Sequence, residues 1–217
     1  MKTCLSPHTA NYRGLRHIYR RVIFPFERLR YLRSKNAGGY FNAEEELHMC
    51  ALLPRATLDS VVQTLHPQTW LDVGCGMGVS LKYILRQGID ANGIELSDQA
   101  IALSGLADKI TRHDLSQPLD LHRLFDVVWC YEVAEHLPPE AADCLVTTLA
   151  MHTHTVILSA ARPGQGGAGH LNEQEPDYWI QKFNAKGWKL DETLTAKIHL
   201  LKELYSDNVM VFQQGEQ

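Results

Sequence analysis

The spacing of apolar and polar residues from position 69 onward predicts short buried strands that alternate with helices. The predicted strands are, in order, "TWLDV", "DANGIEL", "KITRHD", "FDVVWCY", "HTVILSA", "WKLDETL" and "NVMVFQQ". The helices between them include "VSLKYILRQ", "DQAIALSGLAD", "PPEAADCLVTTLAM" and "PDYWIQKFNAK", with a short helical insert, "IHLLKELY", between the last two strands. Such alternation predicts an α/β fold with a doubly wound, mainly parallel seven-stranded sheet and helices on both faces. Ligands of such folds bind beyond the carboxyl ends of the strands.

The first 67 residues carry helical signals instead. Residues 15–33 suit a helix that Pro25 interrupts, and "GG" at 38–39 marks a hinge. Asn42 and Glu45 form a capping-box pattern that opens a helix through Leu53, and "RATLDSVVQTL" continues beyond Pro54 with helical spacing. We therefore expect an N-terminal basic helical arm and cap (1–67), lining the substrate side of the cleft, and a sheet domain (68–217).

Composition and cysteine spacing bear on the cellular compartment of the protein. No run of eighteen apolar residues occurs, and the N-terminus lacks the apolar core of a signal peptide. The five cysteines are scattered and form no C-x-x-C pair, which indicates reduced thiols and not a disulfide framework or a zinc site. These features predict a cytoplasmic protein without a transmembrane segment.

Charge is divided unevenly along the chain. Residues 1–35 hold nine Lys or Arg against the single acid Glu27, which makes this arm +8 and the remainder −12. Five aromatic residues are interleaved with these cations. A basic arm of this kind suits a peripheral membrane surface, a nucleic acid or an acidic substrate. Docking of the arm on the chain's own acidic domain is the alternative interpretation.

Glycine recurs at every second position in "LDVGCGMG", directly after the first predicted strand. Gly74, Gly76 and Gly78 indicate positive φ angles or a ligand that approaches bare backbone. A dinucleotide fingerprint, G-x-G-x-x-G, would require its third glycine at the position of Val79. Asp72 also disfavours a pyrophosphate at this turn, and it suits a cationic amino-acid group instead. The spacing therefore argues against a nicotinamide dehydrogenase.

The stretch "LDVGCGMG" resembles motif I of the class I S-adenosylmethionine-dependent methyltransferases, and the resemblance extends over residues 68–214. It implies a Rossmann-like fold whose last strand is antiparallel, with S-adenosyl-L-methionine as cofactor. By this resemblance Asp72 and the glycine turn, including Cys75, approach the methionine part of the cofactor. The remaining cofactor-binding residues implied are Glu95 and Leu96 at the ribose, Asp114 and Leu115 at the adenine, and Cys130 and Tyr131 at the amino-acid end. Cys75 and Cys130 serve there as small packing residues and not as nucleophiles.

The stretch "EVAEH" follows the fourth predicted strand, where a helical turn would place Glu132, Glu135 and His136 on one face. This E-x-x-E-H pattern is similar to one in ubiquinone-pathway O-methyltransferases and small-RNA ribose methyltransferases, where it holds a divalent cation. That similarity implies a possible metal site, with His170 as a fourth ligand or as a general base. Many methyltransferases carry a related sequence without a metal, and His136 then orients the loop or the substrate. We keep both interpretations and name His136 and His170 as the candidate catalytic residues.

The glycine-rich tract "GQGGAGHLNEQ" (164–174) suits a mobile flap over the substrate, with His170 and Asn172 as candidate contacts. A solvated connector is the alternative. Trp179 and Phe183, four residues apart, are expected to pack their helix on the sheet.

These observations predict a methyltransferase that acts on a small molecule, most readily at oxygen. A nucleic-acid methyltransferase is a second hypothesis, favoured by the basic arm and opposed by the −12 charge of the remaining chain. A non-catalytic module that binds the cofactor is a third.

Overall fold

A computed structural model describes residues 52–167 and 169–215 of the 217-residue chain. The basic arm and most of the predicted cap fall in residues 1–51 and lie outside the described residues. Among those that are described, no helix has the length and apolar character needed to cross a membrane.

Seven strands form one mixed sheet, in the order β3-β2-β1-β4-β5-β7-β6. Neighbours among β1 to β5 pair in parallel, whereas β7 runs antiparallel to both β5 and β6, which confirms the predicted fold class. The strands are β1 (Thr69–Val73), β2 (Asp90–Glu95), β3 (Ile110–Arg112), β4 (Val127–Tyr131), β5 (Thr155–Ser159), β6 (Trp188–Leu190) and β7 (Val209–Gln214). The described helices are α1 (Arg55–Leu65), α2 (Val79–Leu85), α3 (Asp98–Ser104), α4 (Ala142–Met151), α5 (Pro176–Asn184) and α6 (Glu192–His199).

Two apolar layers cover the two faces of the sheet. Alternate residues of a strand point to opposite faces, so Trp129 joins one layer and Val128 joins the other. Trp179 and Phe183 of α5 are fully buried in the layer that contains Val128, which confirms that they pack the helix on the sheet. Because both faces are covered, the central strands are almost continuously apolar.

Helix α1 packs on the opposite layer. Its Leu58 and Val61 are fully buried in the cluster that contains Trp70 of β1. The described end of the predicted cap is thus tied to the core of the sheet, while the boundary at residue 67 stays a prediction.

The region before β7 differs from the prediction. The strand "WKLDETL" ends at Leu190 because the side chain of Asp191 accepts a hydrogen bond from the Leu194 amide and caps α6. The helix therefore begins earlier than the predicted insert and ends at His199. The residues that follow α6 are then available to reach the carboxyl ends of the strands.

Candidate active site

A cavity of about 600 Å³ lies at the carboxyl ends of the parallel strands, where ligands of this fold class bind. It brings together most of the residues predicted for the cofactor and both candidate catalytic histidines. Those lining it are Asp72, Gly74, Cys75, Gly76, Glu95, Leu96, Asp114, Leu115, Tyr131, His136 and His170. Gly78 and Cys130 do not line it: Gly78 directly precedes α2, and the Cys130 side chain is fully buried in the core.

The glycine turn after β1 needs glycine for reasons of its own backbone. Gly74 has a φ of 75°, and a Cβ there would lie 2.6 Å from both methyl carbons of Val133. Gly76 and Gly78 also have positive φ angles, of 54° and 68°. The turn therefore presents bare backbone to the cavity and packs closely against the segment after β4.

Glu95 is held rigidly at the end of β2. One carboxylate oxygen accepts a hydrogen bond of 2.8 Å from the Gly76 amide, and the other accepts from the amides of Leu96 (2.9 Å) and Ser97 (2.8 Å). A carboxylate has further lone pairs to offer, so these bonds fix its position without exhausting its capacity to accept. Glu95 thus presents acceptors to the cavity beside the glycine turn.

Asp72 is only 3% exposed, and its pKa is well above that of a solvated aspartate. Burial and the nearby charge of Glu95 raise its pKa to about 7, against the opposing effect of the Leu81 backbone. Within the described part of the chain, its Oδ2 atom has no hydrogen-bond partner. A cationic group in the cavity would find an acceptor here and would favour the ionised form.

Asp114 follows β3 and faces the same end of the cavity. The Ser116 amide donates a hydrogen bond of 2.9 Å to its Oδ1 atom, and the bonds from Ser116 lower the pKa of Asp114. Leu115 beside it is nearly buried and lines the cavity. An ionised acceptor next to an apolar surface suits the amino edge and the face of a purine.

The stretch after β4 does not form the predicted helical turn. Glu132 adopts a left-handed conformation with a φ of 53°, and a short 3-10 turn begins only at Ala134. The Glu132 carboxylate lies close enough to Glu135 for its charge to raise the pKa of that residue. It accepts hydrogen bonds from Ser159 Oγ (2.5 Å), Gln165 Nε2 (2.7 Å) and Asn208 Nδ2 (3.0 Å). These donors set Glu132 apart from Glu135, whose neighbours are the imidazoles of His136 and His170.

Glu135, His136 and His170 form a compact cluster instead. Each offers one ligand atom, and these atoms all lie within 4.8 Å of one another. The two imidazole rings meet edge to face, with centroids 4.9 Å apart. Glu135 is fully buried, and neither of its carboxylate oxygens makes a hydrogen bond to any described residue.

Burial raises the pKa of Glu135 well above its ordinary value, an effect that the charge of Glu132 increases. His136 is more exposed to solvent than Glu135. Desolvation in the cavity wall and the neighbouring His170 lower the pKa of His136 to about 4, although the Gly169 backbone favours the charged form.

His170 reaches the cluster from the glycine-rich loop. Its Nδ1 atom lies 2.7 Å from the Glu173 carboxylate, and its Nε2 atom lies 4.0 Å from Glu135 Oε1. Glu173 also accepts from the amides of Gly164 (2.8 Å) and Gly166 (2.7 Å), so one carboxylate holds both the loop and the imidazole. Burial raises the pKa of Glu173, but the hydrogen bonds outweigh it and leave that pKa lowered. Asn172, predicted to contact substrate, is 2% exposed and does not line the cavity.

The same cavity is lined by Leu52, Leu53 and Pro54 before α1, which fall in the range predicted as the cap, and by the predicted Tyr131 of β4. Sequence patterns missed Trp129 of β4 and Tyr205 after α6, which also line it. The Tyr131 hydroxyl donates to the Leu204 carbonyl at 2.9 Å. The Glu203 carboxylate accepts from the first amides of α1 and from the Thr57 hydroxyl. Glu203 and the start of α1 are far apart in sequence, so only a search of the whole chain for groups that cap α1 would have linked them.

A sheet of this order with a cofactor-sized cavity at the carboxyl ends defines the class of Rossmann-like methyltransferases. A family model described as a methyltransferase domain matches residues 27–193. The chain belongs to this methyltransferase domain family.

Curated relatives share part of the sequence. A ubiquinone biosynthesis O-methyltransferase from Nitrosomonas europaea is 33% identical over 95 residues, which cover 39% of this chain and 40% of the relative. Another protein with that name, from Methylococcus capsulatus, is 36% identical over 102 residues, with 41% of each chain covered. The chain thus spans about two fifths of the length of these relatives.

Solved structures share the fold at lower identity. The sugar N-methyltransferase KedS8 from Streptoalloteichus aligns with a TM-score of 0.63 at 16% identity, covering 82% of this chain and 95% of that one. CalS10, an amino pentose methyltransferase from Micromonospora echinaspora with bound S-adenosylmethionine, has the same TM-score at 15% identity and covers 82% and 99% of the two chains. These likenesses confirm the fold.

Proposed function

We propose that this protein transfers the methyl group of S-adenosylmethionine to a hydroxyl of a small molecule. One observation carries the proposal: a single cavity joins the glycine turn, Glu95 and Asp114 to the cluster of Glu135, His136 and His170. The names of the curated relatives support oxygen as the acceptor atom.

At the cofactor end, we assign each part of S-adenosylmethionine to a feature already described. Asp72 and the bare backbone of the glycine turn receive the methionine part, whose ammonium group suits the partnerless carboxylate oxygen. Glu95 accepts from the ribose hydroxyls, and Asp114 with Leu115 receives the adenine.

At the acceptor end, His170 removes the proton of the acceptor hydroxyl. The pair with Glu173 holds the proton of the imidazole on Nδ1 and leaves Nε2 as the basic atom. As the hydroxyl oxygen forms its bond to the methyl carbon, the carbon–sulfur bond breaks and the hydroxyl proton passes to Nε2. S-adenosylhomocysteine is left as the second product. The protein contributes alignment, exclusion of water and this proton transfer.

The cluster also fits a divalent cation, because no described residue is hydrogen-bonded to the buried Glu135 carboxylate, which lies beside two imidazoles. Two nitrogen ligands and one oxygen ligand favour a first-row transition metal over magnesium. Glu135, His136 and His170 would be its ligands, and His170 would then hold the cation instead of acting as the base. A cation bound there would lower the pKa of an acceptor hydroxyl. Binding of Co²⁺, followed by visible absorption in the wild type and in Glu135→Gln, tests this second proposal.

The acceptor we propose is uncharged or weakly charged. Among the described residues, none that lines the cavity is Lys or Arg, whereas five are Asp or Glu. The expectation of an acidic acceptor depends on the basic arm, which lies outside the described residues. Trp129, Tyr131 and Tyr205 instead contribute aromatic surface to the cavity that would receive the acceptor.

Calorimetric titration with S-adenosylhomocysteine, beside NADH, is the test of the cofactor assignment. We expect the first ligand alone to bind, and Glu95→Ala to weaken it about 30- to 100-fold, since hydrogen bonds to a charged group are lost. Asp98→Ala is the matched control, because this exposed carboxylate lies three residues away and pairs with Arg112. Equal effects of the two variants, or binding of NADH, would contradict the assignment.

Acceptor screening then tests the reaction class. Small phenols, catechols and sugars, with and without Co²⁺, are compared by the S-adenosylhomocysteine they generate. Turnover with RNA alone, weakening steeply with salt, would instead favour the nucleic-acid hypothesis.

A further inference from the structure

The Glu132 carboxylate, which lines the candidate active site, is held by side chains from three distant segments. Three donors converge on its two carboxylate oxygens: Ser159 Oγ, Gln165 Nε2 and Asn208 Nδ2. They come from the end of β5, the glycine-rich loop and the turn before β7. One carboxylate thus joins three segments to the end of β4.

The three polar side chains around it form a closed network. Asn208 Nδ2 also donates to Gln165 Oε1 at 2.7 Å, so Glu132, Gln165 and Asn208 contact one another pairwise. Both oxygens of Glu132 act only as acceptors, which a carboxylate provides and a carboxamide does not. In Glu132→Gln, an NH₂ donor replaces one of the two acceptor oxygens. Whichever way the amides of Gln165 and Asn208 are then rotated, one contact of the network joins two donors or two acceptors.

The backbone of Glu132 is held in an unfavourable conformation to make these contacts. Its φ of 53° costs about 1 to 2 kcal/mol for a residue with a Cβ. Its amide donates to the Ser159 carbonyl at 2.9 Å, which fixes this geometry against β5. Strain of this kind persists where the surrounding contacts over-determine it, which favours a specific role for the residue.

The network acts on His170 through the loop. Glu132 holds the loop at Gln165, while Glu173 holds the amides of Gly164 and Gly166 together with the imidazole of His170. Position 165 lies between the two amides that Glu173 binds. Fixing Gln165 therefore fixes the segment that brings His170 to Glu135.

We propose that Glu132 is a positioning residue that anchors the glycine-rich loop, and that it is not a ligand of a metal at Glu135, His136 and His170. The anchoring itself depends only on the contacts above, whereas its consequence for catalysis rests on the proposed function. The proposal assigns different tasks to the two glutamates of the E-x-x-E-H stretch.

Hydrogen exchange of residues 162–174, followed by mass spectrometry on the full-length protein, tests the anchor without a metal or an acceptor. We expect Glu132→Gln and Gln165→Ala each to speed exchange of this segment about tenfold, because each removes the same hydrogen bond to a charged group. The double variant should exchange no faster than the faster single variant, since the two side chains share one interaction. Glu140→Gln, at an exposed position of the turn before α4, is the matched control and should leave exchange unchanged.

Co²⁺ titration of the same variants and of Glu135→Gln separates anchor from ligand. Glu135→Gln should abolish binding and its absorption bands, while Glu132→Gln and Gln165→Ala should weaken binding equally, by about tenfold, and keep the bands. Loss of the bands in Glu132→Gln with no effect of Gln165→Ala would overturn the proposal.

Two further outcomes distinguish failure of the proposed anchor from failure of the proposed function. If Glu132→Gln fails to fold, unchanged loop exchange in Gln165→Ala alone would still overturn the anchor. If wild-type protein binds no S-adenosylhomocysteine, the proposed function fails, and the exchange experiment decides the role of Glu132 regardless.

Discussion

The two ends of the cavity are built in different ways. At the end of the cavity that we assign to the cofactor, the lining groups are the backbone of the glycine turn and carboxylates at the ends of β1 to β3. Backbone amides hold the carboxylates of Glu95 and Asp114. Those of Leu96, Ser97 and Ser116 lie within two residues of the carboxylate they bind, whereas that of Gly76 follows the adjacent strand β1. At the acceptor end, side chains from remote positions hold one another, as in the network of Glu132, Gln165 and Asn208.

This difference determines what a substitution does. A carboxylate held by local amides keeps its place as long as the strand end exists. An imidazole held by a loop, which is itself held by other side chains, depends on several distant residues. We therefore expect changes at the acceptor end to alter turnover while cofactor binding persists.

The largest expected effect is on turnover. His170→Asn removes the proposed base, and we expect turnover to fall about 10²- to 10⁴-fold. Binding of S-adenosylhomocysteine should change less than about twofold, since Asp72, the glycine turn and Glu95 are untouched. His154→Asn, at an exposed histidine paired with Gln214, is the control. Loss of S-adenosylhomocysteine binding in His170→Asn would contradict the expectation that changes at the acceptor end leave cofactor binding intact.

Next in size is a change in the glycine turn. Gly74→Ala combines an unfavourable φ with a Cβ 2.6 Å from Val133, and we expect it to lower the free energy of unfolding by about 2 to 4 kcal/mol. Gly88→Ala has a similar φ of 81° with open space around it, and should cost about 1 kcal/mol. Urea unfolding of both variants measures the difference. Equal costs would mean that close packing at Val133 is unimportant.

A smaller effect is expected at the wall of the acceptor end. Glu203→Ala removes the cap of α1, and should lower the free energy of unfolding by about 1 to 2 kcal/mol. Affinity for S-adenosylhomocysteine should be unchanged, while KM for the acceptor rises because Leu53 and Tyr205 lose their alignment. Glu192→Ala, at an exposed position in the first turn of α6, serves as the control. A weaker affinity for S-adenosylhomocysteine with an unchanged KM for the acceptor would contradict the assignment of Glu203 to the acceptor end.

The smallest effect concerns pH at the cofactor end. Because the pKa of Asp72 is raised to about 7, ionisation rises with pH through neutrality. A cationic amino group binds the ionised form, so affinity for S-adenosylhomocysteine should increase about tenfold between pH 6 and pH 8. Asp72→Asn should flatten this dependence.

Stability should show the opposite trend, since a raised carboxyl pKa contributes stability below the unfolded pKa that is lost as pH rises toward 7. Unfolding of Asp72→Asn at pH 5 and pH 8 checks this sign. A pH dependence of binding and stability identical to wild type would assign the titration to another group.

Local patterns were sufficient to predict most of the residues that the structure brings together around the glycine turn. Three glycines after a buried strand, an acid at the end of the second strand and another after the third follow one another in order along the chain, and parallel strands bring their carboxyl ends to one edge. The structure places Gly74, Glu95 and Asp114 together at that edge. Gly78 and Cys130 belong to the same motifs, yet one serves the start of α2 and the other the core.

At the acceptor end, spacing along the chain was misleading. A helical turn would have placed Glu132, Glu135 and His136 on one face, but the backbone at Glu132 is left-handed. Nothing local to "EVAEH" reveals this, because the partners that fix it, Ser159, Gln165 and Asn208, lie 27, 33 and 76 residues away.

The sequence by itself determined the fold class, the turn that exposes backbone to the cavity and the acids that line it beside that turn. These features follow from periodicity and from contacts between residues near one another in the chain or at neighbouring strand ends. Only the tertiary structure decided which acid joins His136 and His170, and which segments close the acceptor end. The physical reason is that a buried carboxylate takes its role from whichever donors or cations the fold brings to it, and those come from anywhere in the chain.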